Sequence, residues 1–270
     1  MEARHATAPD SVETATMAQL RARYLVEELF VPGEVRGVYT HEDRMVIAGA
    51  MPDGEPLAIP SWEPVGTARH LERRELGIVN LGDPGEVTVD GVAHKLGPLD
   101  GLYAGKGSEV LMSGSGACFY LVSAPADTTY PVARFGRDQI EPVELGEDGK
   151  ASRRSLYRYV WGGGHPSCRL QFGVTVVADG SVWNTIPPHL HERRTEIYLY
   201  TGLAPGERVV HLLGRPGATR HLVVADRQAV ISPSWSIHAG AGSTPYAFVW
   251  AMAGENTDYG DLAPVSLESL

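Results

Sequence analysis

Short apolar runs, most of them closed by glycine or proline within a few residues, recur along this chain from residue 38 to residue 253. They fall at 38–39, 45–48, 76–81, 101–104, 110–112 and 119–122, then at 169–178, 196–199, 209–213, 221–224, 229–232 and 246–253. Runs this short cannot build helices with a continuous apolar face. The 31 glycines and 19 prolines that separate them supply the turns of an all-β chain. Glu86-Val-Thr-Val-Asp90-Gly91-Val-Ala-His-Lys-Leu96 predicts a hairpin, two alternating strands joined by Asp-Gly. The exception is near the start. Met17, Leu20 and Tyr24 follow at helical spacing behind Asp10-Ser-Val-Glu13, which reads as a capping box, so a short N-terminal helix is expected over 11–23. Residues 24–31 fit either the end of that helix or a first strand.

The runs divide into two sets, and an internal repeat relates them. Arg69-His-Leu71-Glu72-Arg73-Arg74-Glu-Leu76 is similar to His189-Leu-His191-Glu192-Arg193-Arg194-Thr-Glu196. Pro98-Leu-Asp-Gly-Leu-Tyr103 is similar to Pro233-Ser-Trp-Ser-Ile-His238, which places Tyr103 opposite His238. The expected organisation is an N-terminal arm (1–30), a first barrel without metal (31–124), a connection rich in Pro, Asp, Glu and Arg (125–165), a second, metal-binding barrel (166–256), and a loosely packed polar tail (257–270).

Whole-chain charge narrows the partners. A net charge of −10 argues against nucleic acid, which needs a basic surface. An anionic small molecule then needs arginines placed locally. The two cysteines, Cys118 and Cys168, make no disulfide framework and are read as small buried hydrophobes of a reducing compartment. No run is long enough to span a membrane and the first residues lack a secretory core, so a cytoplasmic protein is expected.

The chemistry concentrates in His189-Leu-His191-Glu-Arg-Arg-Thr-Glu196 and Pro233-Ser-Trp-Ser-Ile-His238. Histidines at i and i+2 share one face of a strand. Glu196 returns to that face only if the backbone slips by one residue, as at a turn or bulge. His238 arrives from a distant strand. Three imidazoles and one carboxylate leave coordination positions open on a divalent transition metal, which suits chemistry better than a purely structural role. Each counterpart in the first copy (Arg69, Leu71, Leu76, Tyr103) lacks ligand character for such a site.

This spacing resembles the two motifs of the cupin superfamily. The resemblance extends to Phe30-Val31, 71–77, 103–107, Thr128-Thr-Tyr-Pro131, 189–200, 231–238 and 252–256, collinear from about residue 15 to 256. Those segments are similar to the 5-keto-4-deoxyuronate isomerase family of pectin breakdown. The resemblance implies a double-stranded β-helix fold (a bicupin of two jelly-roll barrels), one Zn2+ per subunit on His189, His191, Glu196 and His238, and a homo-oligomer, a homohexamer. It also implies an aldose–ketose isomerisation. 5-Dehydro-4-deoxy-D-glucuronate (4-deoxy-L-threo-5-hexosulose uronate), a small anionic sugar acid, becomes 3-deoxy-D-glycero-2,5-hexodiulosonate. Three other readings stand beside it: a cupin dioxygenase with Fe(II) in the same ligands, a 5-deoxyglucuronate isomerase, and a non-catalytic sugar-binding bicupin.

The isomerisation needs a base to carry a proton between adjacent carbons. Glu192, Tyr198 and a hydroxide held by the metal are candidates. Glu192 is equally read as a salt-bridge partner of its neighbouring arginines. Arg193 and Arg194 are candidates for gripping the substrate carboxylate, although the first copy keeps the same Arg-Arg pair without a metal. His41 is read as part of a polar turn or as a reach toward the site, and Trp183 and Trp235 as pocket walls or packing.

Overall fold

The computed structural model describes residues 1–270, and strands dominate it. The chain divides into two compact units. The first comprises 1–4, 28–141 and 159–172; the second comprises 5–27, 142–158 and 173–270. Each is a double-stranded β-helix.

In the first unit, a seven-stranded sheet carries Val46–Ala50, Phe119–Pro125, Arg74–Asn80 and Gly101–Ala104 as successive neighbours. A four-stranded sheet holds the Gly85–Val89 and Val92–Leu96 hairpin beside Val110–Ser113. Asp90 and Gly91 both take positive φ, 49° and 81°, the pair of values that the expected tight turn requires. Between the sheets, Leu76, Ile78, Val87, Leu96, Leu102, Met112 and Phe119 form the core.

The second unit repeats the plan. Gln171–Val177, Ala247–Gly254, Arg194–Thr201 and Ala229–Ser232 are successive neighbours in a seven-stranded sheet. Arg220–Val224, Val209–Leu213 and Ala239–Gly242 form the smaller one. Gly173 has a specific reason here. A Cβ at that position would lie 2.1 Å from the Tyr157 carbonyl oxygen and 2.5 Å from the Trp250 ring, so only glycine lets the indole lie against the strand.

The helical segment differs from its expectation. It is two pieces, Asp10–Glu13 and Met17–Tyr24. Asp10-Ser-Val-Glu13 is not a capping box, since Pro9 caps the first piece without a side-chain bond. The box lies at Thr16 and Gln19. The Thr16 hydroxyl accepts the Gln19 N–H at 3.3 Å, and the Gln19 side chain accepts the Thr16 N–H at 2.8 Å. The second piece buries Leu20 and Tyr24 in the core of the second unit, and the chain then passes into a short strand, Leu25–Val26.

The segment read as a connection is partly strand. Ala133–Phe135 pairs with Gly101–Ala104, and Val143–Leu145 pairs with the seven-residue strand Arg154–Val160. These strands are mostly half-exposed, so polar and charged residues interrupt the alternation that would have announced them. The tail is not loose either. Ala263–Pro264 pairs with His189–Leu190, and the Asp261 side chain is held by Arg193 and Asn256.

The repeat survives in part. Arg74 and Arg194 each open the equivalent strand of their sheet, as Glu-Arg-Arg anchoring requires. The second half of the alignment is corrected. Pro98 precedes its strand, whereas Pro233 follows Ala229–Ser232. Tyr103 pairs with Gly77 within that strand, as Ile231 pairs with Ile197, so Tyr103 corresponds to Ile231. His238 stands just before Ala239, which pairs with Leu212; the residue in that place in the first unit is Val110, paired with Val89.

Candidate metal centre

Strand alternation puts Glu196, Tyr198 and Tyr200 on the inward face of Arg194–Thr201. A turn at 192–193, closed by the Arg194 N–H donating to the His191 carbonyl at 3.3 Å, supplies the one-residue slip that returns Glu196 to the side of His189 and His191. His238 comes from the far side of the barrel, after the turn that Ser236 N–H closes on the Pro233 carbonyl at 2.9 Å. The Ser236 hydroxyl accepts the Gly214 N–H at 2.9 Å and donates to the Ile237 carbonyl, which pins the approach to His238.

One ligand atom from each of these four residues lies within 4.8 Å of all the others. Glu196 Oε2 is 2.8 Å from His238 Nε2 and 3.0 Å from His191 Nε2, and the His189 and His238 Nε2 atoms are 3.2 Å apart. Glu196 and His238 are 5% and 1% exposed, so water does not neutralise this group. Burial by itself would raise the Glu196 carboxyl, yet the imidazoles of His238 and His191 outweigh it and hold the group below the usual carboxylate range. Burial, reinforced by His238, pulls His189 down to about 3. A neutral His189 and an ionised carboxylate are the ligand forms that a divalent cation takes.

The surroundings fit a metal as well. The Asp261 carbonyl accepts the His191 Nδ1–H at 3.1 Å, which leaves the Nε2 lone pair facing Glu196 and His238. Two imidazole nitrogens 3.2 Å apart can share at most one proton between them, whereas one cation satisfies both lone pairs together with the carboxylate. Arg194, wholly buried, donates to the same Asp261 carbonyl at 2.5 Å.

His189, His191 and Glu196 line a recess of about 100 Å3, with His238 buried behind them, and its other walls include Arg154, Thr185, Tyr198, Phe248, Trp250 and Tyr259. Burial pushes the Tyr198 hydroxyl well up, and Glu196 adds to the effect, so it keeps its proton; it lies 2.9 Å from the Thr185 hydroxyl. A larger cavity of about 340 Å3 belongs to the first unit, and Arg69, Leu71 and Val110, the counterparts of His189, His191 and His238, are among its walls. No second group of metal-ligating side chains accompanies it.

Residues 34–262 match the KduI/IolB family. The chain belongs to that family. Over its whole length it is 49% identical to the 4-deoxy-L-threo-5-hexosulose-uronate ketol-isomerase of Kineococcus radiotolerans, and 45% identical to the protein of the same name from Halalkalibacterium halodurans; the chain covers all of both. Among solved structures, an IolB-like protein of Salmonella typhimurium superposes with a TM-score of 0.71 at 13% identity, covering 92% of this chain and 98% of that one. The oxalate decarboxylase of Lactobacillus farciminis superposes with a TM-score of 0.60 at 11% identity, covering 86% and 83%. At such identities these two share the fold alone.

Within this KduI/IolB-family chain, His189, His191, Glu196 and His238 converge and Tyr198 joins them at the recess. Three other candidates do not. Glu192 is exposed and lies 3.8 Å from Arg193, so it faces solvent rather than substrate. Arg193 is taken up by a two-pronged pair with Asp261, and Arg194 is buried behind His191; neither lines the recess. His41 sits in a turn of the first unit with its ring 5.2 Å from that of Tyr39. Trp183 and Trp235 are absent from the walls, where Trp250 stands instead. Arg154, Thr185 and Tyr259 escaped the sequence reading because they lie in segments without clear periodicity.

Proposed function

We propose that this chain is a metal-dependent ketol-isomerase that converts 4-deoxy-L-threo-5-hexosulose uronate to 3-deoxy-D-glycero-2,5-hexodiulosonate in pectin and uronate breakdown. The observation that carries the reading is the convergence of three imidazoles and one carboxylate at the foot of a recess, in a family whose relatives bear that activity in their names. His189, His191, Glu196 and His238 are assigned as ligands of one Zn2+ per subunit. The resemblance to the isomerase family supports zinc over iron, as it supports a cytoplasmic homohexamer and a first barrel without metal.

A divalent cation held by His189, His191, Glu196 and His238 would supply electrophilic polarisation of a carbonyl oxygen and favourable charge for a developing oxyanion. The chain's own groups orient the centre and shield it. Asp261 and Arg194 hold the orientation of His191. Tyr198 keeps its proton and serves as a donor to substrate oxygen, with Thr185 setting the direction of its hydroxyl. Phe248 and Trp250 keep the recess apolar and limit water around a reactive enediolate.

Replacement of His238 by Ala tests the assignment. Bound metal and isomerisation, followed by NMR of the diketo acid with and without chelator, are both expected to vanish while circular dichroism is unchanged. Full turnover in His238→Ala would sink the ligand set. Oxygen uptake without isomerisation by the wild type would replace the reaction with a dioxygenase's.

A further inference from the structure

Arg154 opens the strand Arg154–Val160 and faces Leu145 across the ladder. Both residues line the recess, together with Leu156, His189, His191 and Glu196. No other arginine and no lysine is among the walls. The guanidinium is half-buried and is held by backbone alone. Nη1 donates to the Ser152 carbonyl at 2.8 Å, and Nη2 makes a long contact of 3.4 Å with the Ile186 carbonyl.

Three other arginines of the second unit are differently placed. Arg153 pairs with Asp148, Arg193 with Asp261 and Arg215 with Glu13. Arg154 has no acidic partner; the ionisable groups acting on it are the hydroxyls of Tyr198, Tyr246 and Tyr259. Burial lowers its pKa from the usual arginine value, as expected for a cation facing an apolar recess without a counter-ion. The one carboxylate in the walls, Glu196, is engaged by His191 and His238. The recess therefore holds a fixed positive charge that an incoming anion would complete.

We propose that Arg154 is the residue that grips the substrate's carboxylate, setting the aldehyde end toward His189, His191, Glu196 and His238. This rests on the isomerase reading above and adds the element of specificity to it. A guanidinium matches a carboxylate with two parallel hydrogen bonds, and the Ser152 carbonyl already restrains this one, so little side-chain freedom is lost on binding. A neutral sugar of the same length would leave the charge unpaired and is rejected for that reason.

The test uses the metal-loaded protein, with D-glucuronate and D-glucose as probes that differ in the terminal carboxylate, read by intrinsic tryptophan fluorescence and calorimetry. The wild type is expected to bind glucuronate at least about tenfold more tightly than glucose. Arg154→Gln is expected to erase that preference and raise KM for the uronate about 10- to 100-fold, with a smaller change in kcat and unchanged metal content. A wild type indifferent to the carboxylate, or an Arg154→Gln protein that keeps the preference, would overturn the proposal. If Arg154→Gln does not fold, Arg154→Lys carries the test: charge is kept and the fork lost, so the preference should fall severalfold, and an unchanged preference refutes the fork. A wild type that selects glucuronate through Arg154 yet isomerises nothing would defeat the isomerase reading and leave this carboxylate site standing.

Discussion

His191 donates its Nδ1–H to the backbone carbonyl of Asp261, 70 residues away, at 3.1 Å. Arg194 Nη2 lies at the same distance from that nitrogen, so the carbonyl bond forms in the tautomer that a metal on Nε2 would favour. That bond also ties the C-terminal tail to the metal centre, because the Asp261 side chain is itself gripped by Arg193 and Asn256.

Asp261→Ala should therefore loosen a carbonyl it does not remove. Metal affinity is expected to fall by about tenfold, the lower end of the usual effect of disturbing a ligand's hydrogen-bond partner. Competition with a chromogenic chelator measures it, and an affinity equal to wild type would show that Arg194 alone holds the carbonyl in place.

Tyr198 and Glu192 predict opposite outcomes. Tyr198→Phe removes a proton donor from the recess, so kcat should drop about 100-fold with KM and metal content nearly unchanged. Glu192→Gln alters an exposed ion pair outside the recess and should leave kcat within about twofold. Steady-state kinetics on both variants decides which carries the chemistry.

Tyr103 donates to the buried Glu75 carboxylate at 2.7 Å, and the same carboxylate accepts the backbone N–H groups of Cys168, Arg169 and Leu170. Tyr103→Phe leaves those three in place. Stability should fall by about 1–2 kcal/mol in chemical denaturation. Metal content by atomic spectroscopy should not change, since Tyr103 belongs to the first unit and is not the counterpart of His238.

His70 is buried in the first unit with Nδ1 unpartnered, and burial, with help from Arg74, pulls its pKa down to about 3. The unfolded chain binds this proton near the ordinary value of about 6.5, so between those limits the unfolded state holds more protons. The contribution of a neutral His70 is thus complete above pH 6.5 and is lost as pH falls toward 3. His70→Leu should show a shallower decline in Tm than the wild type between pH 7 and pH 4, measured at fixed metal. Parallel profiles would contradict the depressed pKa.

Much of the centre was legible along the chain. His-x-His, the slip before Glu196 and the turn after Pro233 are local patterns, and local geometry governs where they point. The two-barrel architecture followed from the same logic, since short runs closed by glycine and proline leave few alternatives to turns and strands. The Tyr103 alignment failed for a corresponding reason: similar residues on opposite sides of a strand look equivalent in one dimension and are not equivalent in register.

The sequence by itself thus determined the fold class and picked out the four residues that converge, because residue type and spacing within each of two short motifs carry both. Only the tertiary structure decided which cation faces the recess and which carboxylates do not. Arg154 is unpaired because no acidic side chain folds near it, whereas Arg193 is spent on Asp261 and Glu192 points to solvent. Whether a charge is free or neutralised depends on partners far away in sequence, and those become neighbours only once the barrels have closed.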